Sequence, residues 1–329
     1  MSTTAAVLGA GSWGTALAIQ LARRGQRVLL WGRSPEHMAR LAADRVNARY
    51  LPGITLPAAI EPTPSLEEAG AAGDLLLAVP SHAFVPTLAA LGPGVRRIAW
   101  ATKGLEEGTG RLLHEVAAEQ LGDDARLAAL SGPTFAREVA AGLPTAVTVA
   151  SNDPGHGERI AALLHGGPFR VYTSPDLTGV GLGGAVKNVV AIAAGMADGL
   201  ALGANSRAAL ITRGLAEIMR LGRRLGARTD TLMGLAGLGD LVLTATDDQS
   251  RNRRFGLALA RGQSPAAAAA HIGQVVEGAP AASAVRVLAT RHGVEMPICE
   301  QVCRVLRDGV APPDAVAALM ERARRREHD

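Results

Sequence analysis

The stretch that most restricts what this chain can become is its first: Ala5-Ala6-Val7-Leu8-Gly9-Ala10-Gly11-Ser12-Trp13-Gly14-Thr15-Ala16. A short apolar run passes directly into G-x-G-x-x-G and then into a helix-forming sequence. Strand, tight turn and helix in that order leave N–H groups free at the helix start, where a pyrophosphate can sit. Gly9 then makes the turn, Gly11 lets the phosphates approach the backbone, and Gly14 lets the helix pack closely on the strand. A glycine-rich turn can also serve packing alone. What points to a dinucleotide is its place at the head of an alternating strand–helix pattern.

That pattern continues for half the chain. Apolar runs predict strands over residues 5–8, 27–31, 74–79, 97–100, 126–130 and 146–150, with a last one near 169–172. Near-continuous apolar strands separated by crossovers indicate a mostly parallel sheet covered on both faces. After Pro175 the strand signals stop. Helical stretches are predicted at 179–199, 206–226, 252–261 and 280–292. In the second, Leu210, Ile211, Leu215, Ile218 and Met219 recur at helical spacing, and Asn205 can cap its start. The alanine run at 266–270 is simply helix-forming. A length of 329 residues suits two domains. They are placed at 1–178 (nucleotide-binding) and 179–329 (helical, substrate-binding).

Composition removes several classes. Hydrophobic residues at 48% and charged residues at 19% exclude a mainly disordered chain. Aromatics at 3% are too few for base-stacking platforms. The net charge of +4 suits a small anionic substrate. The basic run at 322–326 reads as a solvated helix end, and no nucleic-acid partner is expected. Charge-free stretches at 1–22 and 75–95 are broken by Gly9, Gly11 and Gly14, and by Pro80, Pro86 and Pro93, so neither reads as a signal peptide or membrane span. Cys299 and Cys303 sit four apart and read as core thiols rather than metal ligands. No metal site and a reducing, cytoplasmic location are expected.

Of the 34 basic residues, only Lys103 and Lys187 are lysines. Arginine serves nearly everywhere a surface cation would do. A retained lysine is therefore a candidate for work that needs a labile proton, although two lysines can also be left by chance. Lys187 lies in Gly183-Gly184-Ala185-Val186-Lys187-Asn188-Val189-Val190, an apolar setting that costs desolvation unless the proton is labile or paired. That suits an acid or base; the plainer alternative is a lysine snorkelling from a helix edge. Lys103 follows the strand at 97–100, at the carboxyl edge where open sheets bind ligands.

Other candidates keep two readings. Asp240, the single acid of an apolar, glycine-rich stretch, either holds a cation such as Lys187 or caps a helix. Arg33 follows the second strand where an NAD-preferring site would carry an acid. It either meets a 2′-phosphate, which favours NADPH, or is a surface arginine. His82, after the third predicted strand, reads as a helix-cap neighbour rather than a catalytic group. Gly132 and Thr134 in the loop after the strand at 126–130 can offer an N–H and a hydroxyl to an anion, or form an ordinary Gly-Pro turn. Arg251 offers a fork of donors for phosphate and Asn252 an amide, at a predicted helix start.

The segments GAGSWGTALA, ATKGLE, LSGPTFAREVAAGLPTAV, GGAVKNVVAIAAG, GANSRAALITRGLAEI, GLAGLGDLVLT, SRNRRFG and VVEG span residues 9 to 278. Together they resemble the bacterial-type NAD(P)-dependent glycerol-3-phosphate dehydrogenases. The resemblance implies an α/β Rossmann-like domain with a mostly parallel sheet, followed by an all-α domain of the 6-phosphogluconate dehydrogenase C-terminal type. It implies reversible reduction of dihydroxyacetone phosphate to sn-glycerol 3-phosphate for glycerophospholipid synthesis, with NADPH and possible use of NADH. In family terms Lys187 resembles the proton acceptor, helped by Lys103 and Asp240. Ser12, Trp13, Arg33, Tyr50, Lys103, Ala136, Arg251, Val275 and Glu277 resemble cofactor contacts. Lys103, Gly132, Thr134, Lys187, Asp240, Ser250, Arg251 and Asn252 resemble substrate contacts. Gly181, Ala245 and Val85 depart from the family's usual Glu, Cys and basic residue. A homodimer through the helical domain is compatible with this reading. Its alternatives are a dehydrogenase of another small hydroxy acid, such as ketopantoate, and a non-catalytic NADPH-sensing module.

Overall fold

The structure is a computed structural model that describes residues 4–92 and 94–323. Most of the basic run expected at 322–326 therefore lies outside the described residues. The chain divides into two compact units, one of residues 1–102 and 113–180, the other of residues 103–112 and 181–329.

The first unit is a single eight-stranded sheet flanked by helices. Its strands are β1 (Thr4–Leu8), β2 (Arg27–Trp31), β3 (Ile60–Thr63), β4 (Asp74–Leu77), β5 (Arg97–Trp100), β6 (Arg126–Ser131), β7 (Thr145–Ser151) and β8 (Phe169–Ser174). The helices are α1 (Ser12–Arg23), α2 (Pro35–Asp44), α3 (Leu66–Gly70), α4 (Ser81–Leu91), α5 (Leu113–Leu121), α6 (Ala136–Ala141) and α7 (Pro154–Leu164). The strand order is β3-β2-β1-β4-β5-β6-β7-β8, parallel except where β7 runs antiparallel to β6. Chain order reverses between β1 and β4, the place where doubly wound sheets open a crevice at their carboxyl edge. β1 is central, and Ala5 to Leu8 are buried.

Each apolar run predicted a strand, to within a residue or two. β3 had no such signal. Ile-Glu-Pro-Thr carries a charge and a proline, and only Ile60 and Thr63 are buried. It is tolerated because it forms an edge, pairing with β2 alone.

The second unit is helical: α8 (Leu177–Gly199, beginning in the first unit), α9 (Gly203–Arg224), α10 (Thr229–Met233), α11 (Asp240–Thr246), α12 (Arg251–Ala260), α13 (Pro265–Ile272), α14 (Gly278–Arg291), α15 (Pro297–Arg307) and α16 (Pro312–Met320). Among the described residues α8 is the one helix long and apolar enough to cross a membrane, and 94% of its most apolar window is buried inside the protein. A helix apolar on all sides that other helices cover is a core helix. Where α12 crosses α8 the backbones touch. A β-carbon at Gly195 would overlap the Arg253 carbonyl, and one at Gly256 would overlap that of Ile192. Cys299 and Cys303 lie on α15 as buried free thiols.

Two expectations are corrected. Asn205 does not cap α9. The link from α8 is only residues 200–202, Ala201 turns it with left-handed backbone, and the helix resumes at Gly203, so Asn205 falls inside the first turn. Residues 103–112 were read as part of the sheet domain but pack with the helices. Leu105 and Leu112 bridge to one another and join the helical core.

α9 also buries an acid that sequence inspection passed over. Glu217 is 2% exposed, and its carboxylate accepts the N–H groups of Ile298 (2.7 Å) and Cys299 (3.2 Å) at the start of α15. Burial raises its pKa to about 7, against these stabilising bonds. A folded-state pKa above the unfolded one means stability that is present below pH 4.5 and lost as pH rises through about 7. Urea midpoints across this window should show wild type gaining up to about 3 kcal/mol on acidification relative to Glu217→Gln. Parallel pH profiles for the two proteins would contradict the burial effect.

Candidate active site

The glycine turn is built as its spacing predicts. A β-carbon at Gly9, where φ is +128°, would lie 2.6 Å from the Ala78 carbonyl oxygen, and one at Gly14 would overlap the Gly9 carbonyl. Both glycines are therefore demanded by packing of β1, α1 and the end of β4. Gly11 is different: a β-carbon there would meet nothing within 4 Å. Its backbone faces open space at the N-cap of α1, which has no side-chain cap. Among the described residues the buried indole N–H of Trp13 has no acceptor. Uncapped helix start, open approach at Gly11 and an orphaned donor two residues on fit a phosphate-bearing cofactor.

The loop after α2 braces this turn. Asn47, 1% exposed, donates through Nδ2 to the Ala10 carbonyl (3.0 Å) and to Thr15 Oγ1 (2.8 Å). Ser12 Oγ donates to the Tyr50 carbonyl (2.6 Å), so Tyr50 is held beside the start of α1. Arg33 is exposed just past β2. His82 is exposed in the first turn of α4, as expected of a cap neighbour. Thr134 Oγ1 donates to the Gly132 carbonyl (3.1 Å), and Ala136 opens α6. These residues belong to the first unit.

In the second unit both lysines meet one carboxylate. Lys187 Nζ donates to Asp240 Oδ1 (2.5 Å), and Lys103 Nζ donates to Asp240 Oδ2 (2.7 Å). Asp240 is fully buried at the first turn of α11, directly after a π-helical turn at Leu235–Gly239. Lys187 Nζ also donates to Thr244 Oγ1 (2.8 Å), whose hydroxyl in turn donates to the Asp240 carbonyl (2.6 Å). Of the two readings for Lys187, the structure excludes snorkelling: the residue is 6% exposed.

The electrostatics follow from this crowding. Burial drives the Lys187 pKa down to about 7; Asp240 opposes the fall, and Lys103 and Arg251 add to it. Burial works to raise the Asp240 carboxyl, but the two ammonium groups outweigh it and hold it below the usual carboxylate range. At the start of α12 half-burial lowers the pKa of the Arg251 guanidinium, and Glu277 opposes the fall. Lys103, Lys187 and Arg251 thus gather around the single carboxylate of Asp240, an excess that suits an anionic ligand.

Two members of this network carried no signal in the sequence reading. Thr244 is one, because nothing in its neighbours along the chain marks it as a partner of Lys187. Asn188, 4% exposed, donates weakly to the Lys103 carbonyl (3.4 Å) and accepts from Asn252 Nδ2 (2.8 Å). Asn252 Oδ1 accepts the Gly278 N–H (2.9 Å), so the amide expected to face phosphate is largely occupied in tying α12 to α8 and α14. Ser250 caps α12 by accepting the Arg253 N–H (3.2 Å). Val275 is exposed and Glu277 half-buried just before α14.

A nucleotide-type sheet unit followed by a helical unit with a lysine–aspartate centre defines a two-domain, nicotinamide-dependent oxidoreductase. Family models described as the N-terminus and C-terminus of NAD-dependent glycerol-3-phosphate dehydrogenase match residues 4–156 and 176–317. The chain belongs to that family. It is 58% identical over 326 residues to glycerol-3-phosphate dehydrogenase [NAD(P)+] of Aeromonas hydrophila, covering 98% of each chain. The corresponding protein of Thioalkalivibrio sulfidiphilus is 59% identical over 321 residues, 96% of each. The crystal structure of glycerol-3-phosphate dehydrogenase from Coxiella burnetii matches with a TM-score of 0.94 at 50% identity, covering 97% of this chain and 99% of that one.

The contrast among the glycines is testable. Gly11→Ala should keep the melting temperature within a few degrees while weakening NADPH binding about tenfold or more, measured by fluorescence titration. Gly14→Ala should instead lower the melting temperature itself. Unchanged NADPH affinity in Gly11→Ala would show that the open approach has no ligand to serve.

Proposed function

We propose that this chain reversibly reduces dihydroxyacetone phosphate to sn-glycerol 3-phosphate, the backbone of glycerophospholipids, using NADPH and, less specifically, NADH. The observation that carries the reading is the buried Lys187, with a pKa of about 7, sharing Asp240 with Lys103. An ammonium of that acidity can give its proton to a carbonyl oxygen near neutral pH and take it back from a hydroxyl.

Gly9, Gly11, Ser12, Trp13, Gly14 and Tyr50 would hold the cofactor, with Arg33 on a 2′-phosphate and Ala136, Val275 and Glu277 as further contacts. When bound, the reduced nicotinamide supplies the hydride. Lys187 donates its proton to the ketone oxygen in reduction and accepts the C2 hydroxyl proton in oxidation. Lys103 stabilises negative charge growing on that oxygen. Asp240 and Thr244 aim the Lys187 amine, and the carboxylate keeps two close ammonium groups together. Arg251 takes the phosphate with its guanidinium fork, at a helix start that Ser250 caps and Asn252 ties to α8 and α14, with Gly132 and Thr134 as further substrate contacts. The free thiols of Cys299 and Cys303 support a reducing, cytoplasmic setting for this chemistry. A cofactor sensor without turnover would have no use for a lysine so poised.

NADPH oxidation with dihydroxyacetone phosphate tests the assignment directly. Lys187→Met should lower turnover by roughly 10²–10⁴-fold with the Kd for NADPH kept. Near-normal turnover in that variant would remove Lys187 from the mechanism. Since oxidation needs the free amine and reduction the ammonium, kcat/KM for glycerol 3-phosphate should rise with pH through about 7. Over the same range kcat/KM for the ketone should fall, and stopped assays in each direction read both limbs.

A further inference from the structure

Arg253 takes no part in the proposed chemistry, yet it is only 8% exposed. Its Nε and Nη2 both donate to Asp198 Oδ2, at 2.9 and 2.6 Å, and its Nη1 pairs with Asp248. Asp198 Oδ1 accepts from Arg207 Nη1 at 2.8 Å. Burying a guanidinium and a carboxylate is costly and is a weak route to stability, so the pair invites a question about what it places.

Asp198 stands eleven residues after Lys187 on α8. At about 100° per residue that is three turns and a return to nearly the same face, roughly 16 Å along the axis. One side of α8 therefore carries two charged anchors. Lys187 is tied to Asp240 on α11, and Asp198 is tied to Arg253 on α12. Arg251 is two residues from Arg253, in the same first turn of α12.

Helices usually find their register by side-chain ridges seated in grooves. Here α8 and α12 meet at Gly195 and Gly256, against the backbone of Arg253 and Ile192. Such a contact resists a slip, because a β-carbon brought to either glycine's place would strike a carbonyl, but it leaves the first turn of α12 beyond it to be held by side chains. A slip of one residue would swing Arg251 by about 100°. Polar links add to that lock where Arg251 sits. The Asn188–Asn252 bond is one, and the Arg253–Asp198 fork is the stiffer, charged one.

We propose that Arg253 and Asp198 form a positioning pair that anchors the first turn of α12 on α8, and so sets the distance between the proton-transferring Lys187 and the phosphate-holding Arg251. This rests on the reaction proposed above. Arg253 touches no substrate in it and acts through Arg251.

The test compares a ketone with the phosphate and one without. In Arg253→Gln, kcat/KM for dihydroxyacetone phosphate should fall about 100-fold. With unphosphorylated dihydroxyacetone, which cannot use Arg251, it should change less than about threefold. The Kd for glycerol 3-phosphate by calorimetry should weaken in parallel, while the Kd for NADPH and the pH midpoint of turnover stay. Asp198→Asn, nearly isosteric, should reproduce the pattern, and Arg253→Lys should fall between wild type and Arg253→Gln. Equal losses on both ketones, or a lowered melting temperature with no change in their ratio, would overturn the proposal. Failure of wild type to reduce dihydroxyacetone phosphate would instead overturn the reaction itself, which separates the two outcomes.

Discussion

A single buried carboxylate holds this site together. Asp240 accepts Lys187 on one oxygen and Lys103 on the other, and each ammonium alone would be hard to keep near the second. Removing two cations from water and placing them side by side is unfavourable on both counts. One aspartate between them lowers the repulsion but cannot cancel both charges. Burial depresses the Lys187 pKa, Lys103 and Arg251 deepen the fall against Asp240, and the same excess of positive charge attracts an anion.

The helices around that carboxylate serve its geometry. α8 can be buried on nearly all sides because it is almost wholly apolar and its small residues let neighbours come close. The one cation it carries is therefore desolvated as a consequence of the packing. The π-helical turn before Asp240 delivers the carboxylate at the first position of α11, an irregularity of the kind that recurs at functional sites. Around it, Asn188 and Asn252 bind α8, α12 and α14 to each other through amides whose hydrogen bonds are used inside the protein.

Much of this was legible in the order of residues. Continuous apolar runs marked seven of the eight strands, because a buried parallel strand must be apolar on both faces. β3 was hidden because an edge strand buries only one side and can hold Glu61 and Pro62. The glycine turn was legible from its spacing between strand and helix, although the Ala78 carbonyl that crowds Gly9 comes from the end of β4. Lys103, Lys187 and Asp240 stood out as rare charges in apolar or arginine-rich surroundings. Thr244, Asn188, Glu217 and the Arg253–Asp198 pair did not, since a polar residue within a helix looks the same whether it faces water or a distant partner.

The sequence by itself determined the classes of element, the nucleotide turn and which ionisable groups were candidates. Those properties depend on neighbours a few residues apart, where period, turn chemistry and sterics act. Only the tertiary structure decided that Lys103, after the fifth strand, shares an oxygen pair with a lysine 84 positions later on α8. It also assigned residues 103–112 to the helical unit and occupied Asn252 with structural bonds. Burial and long-range pairing set these outcomes, and desolvation exists only once the chain has closed around the group.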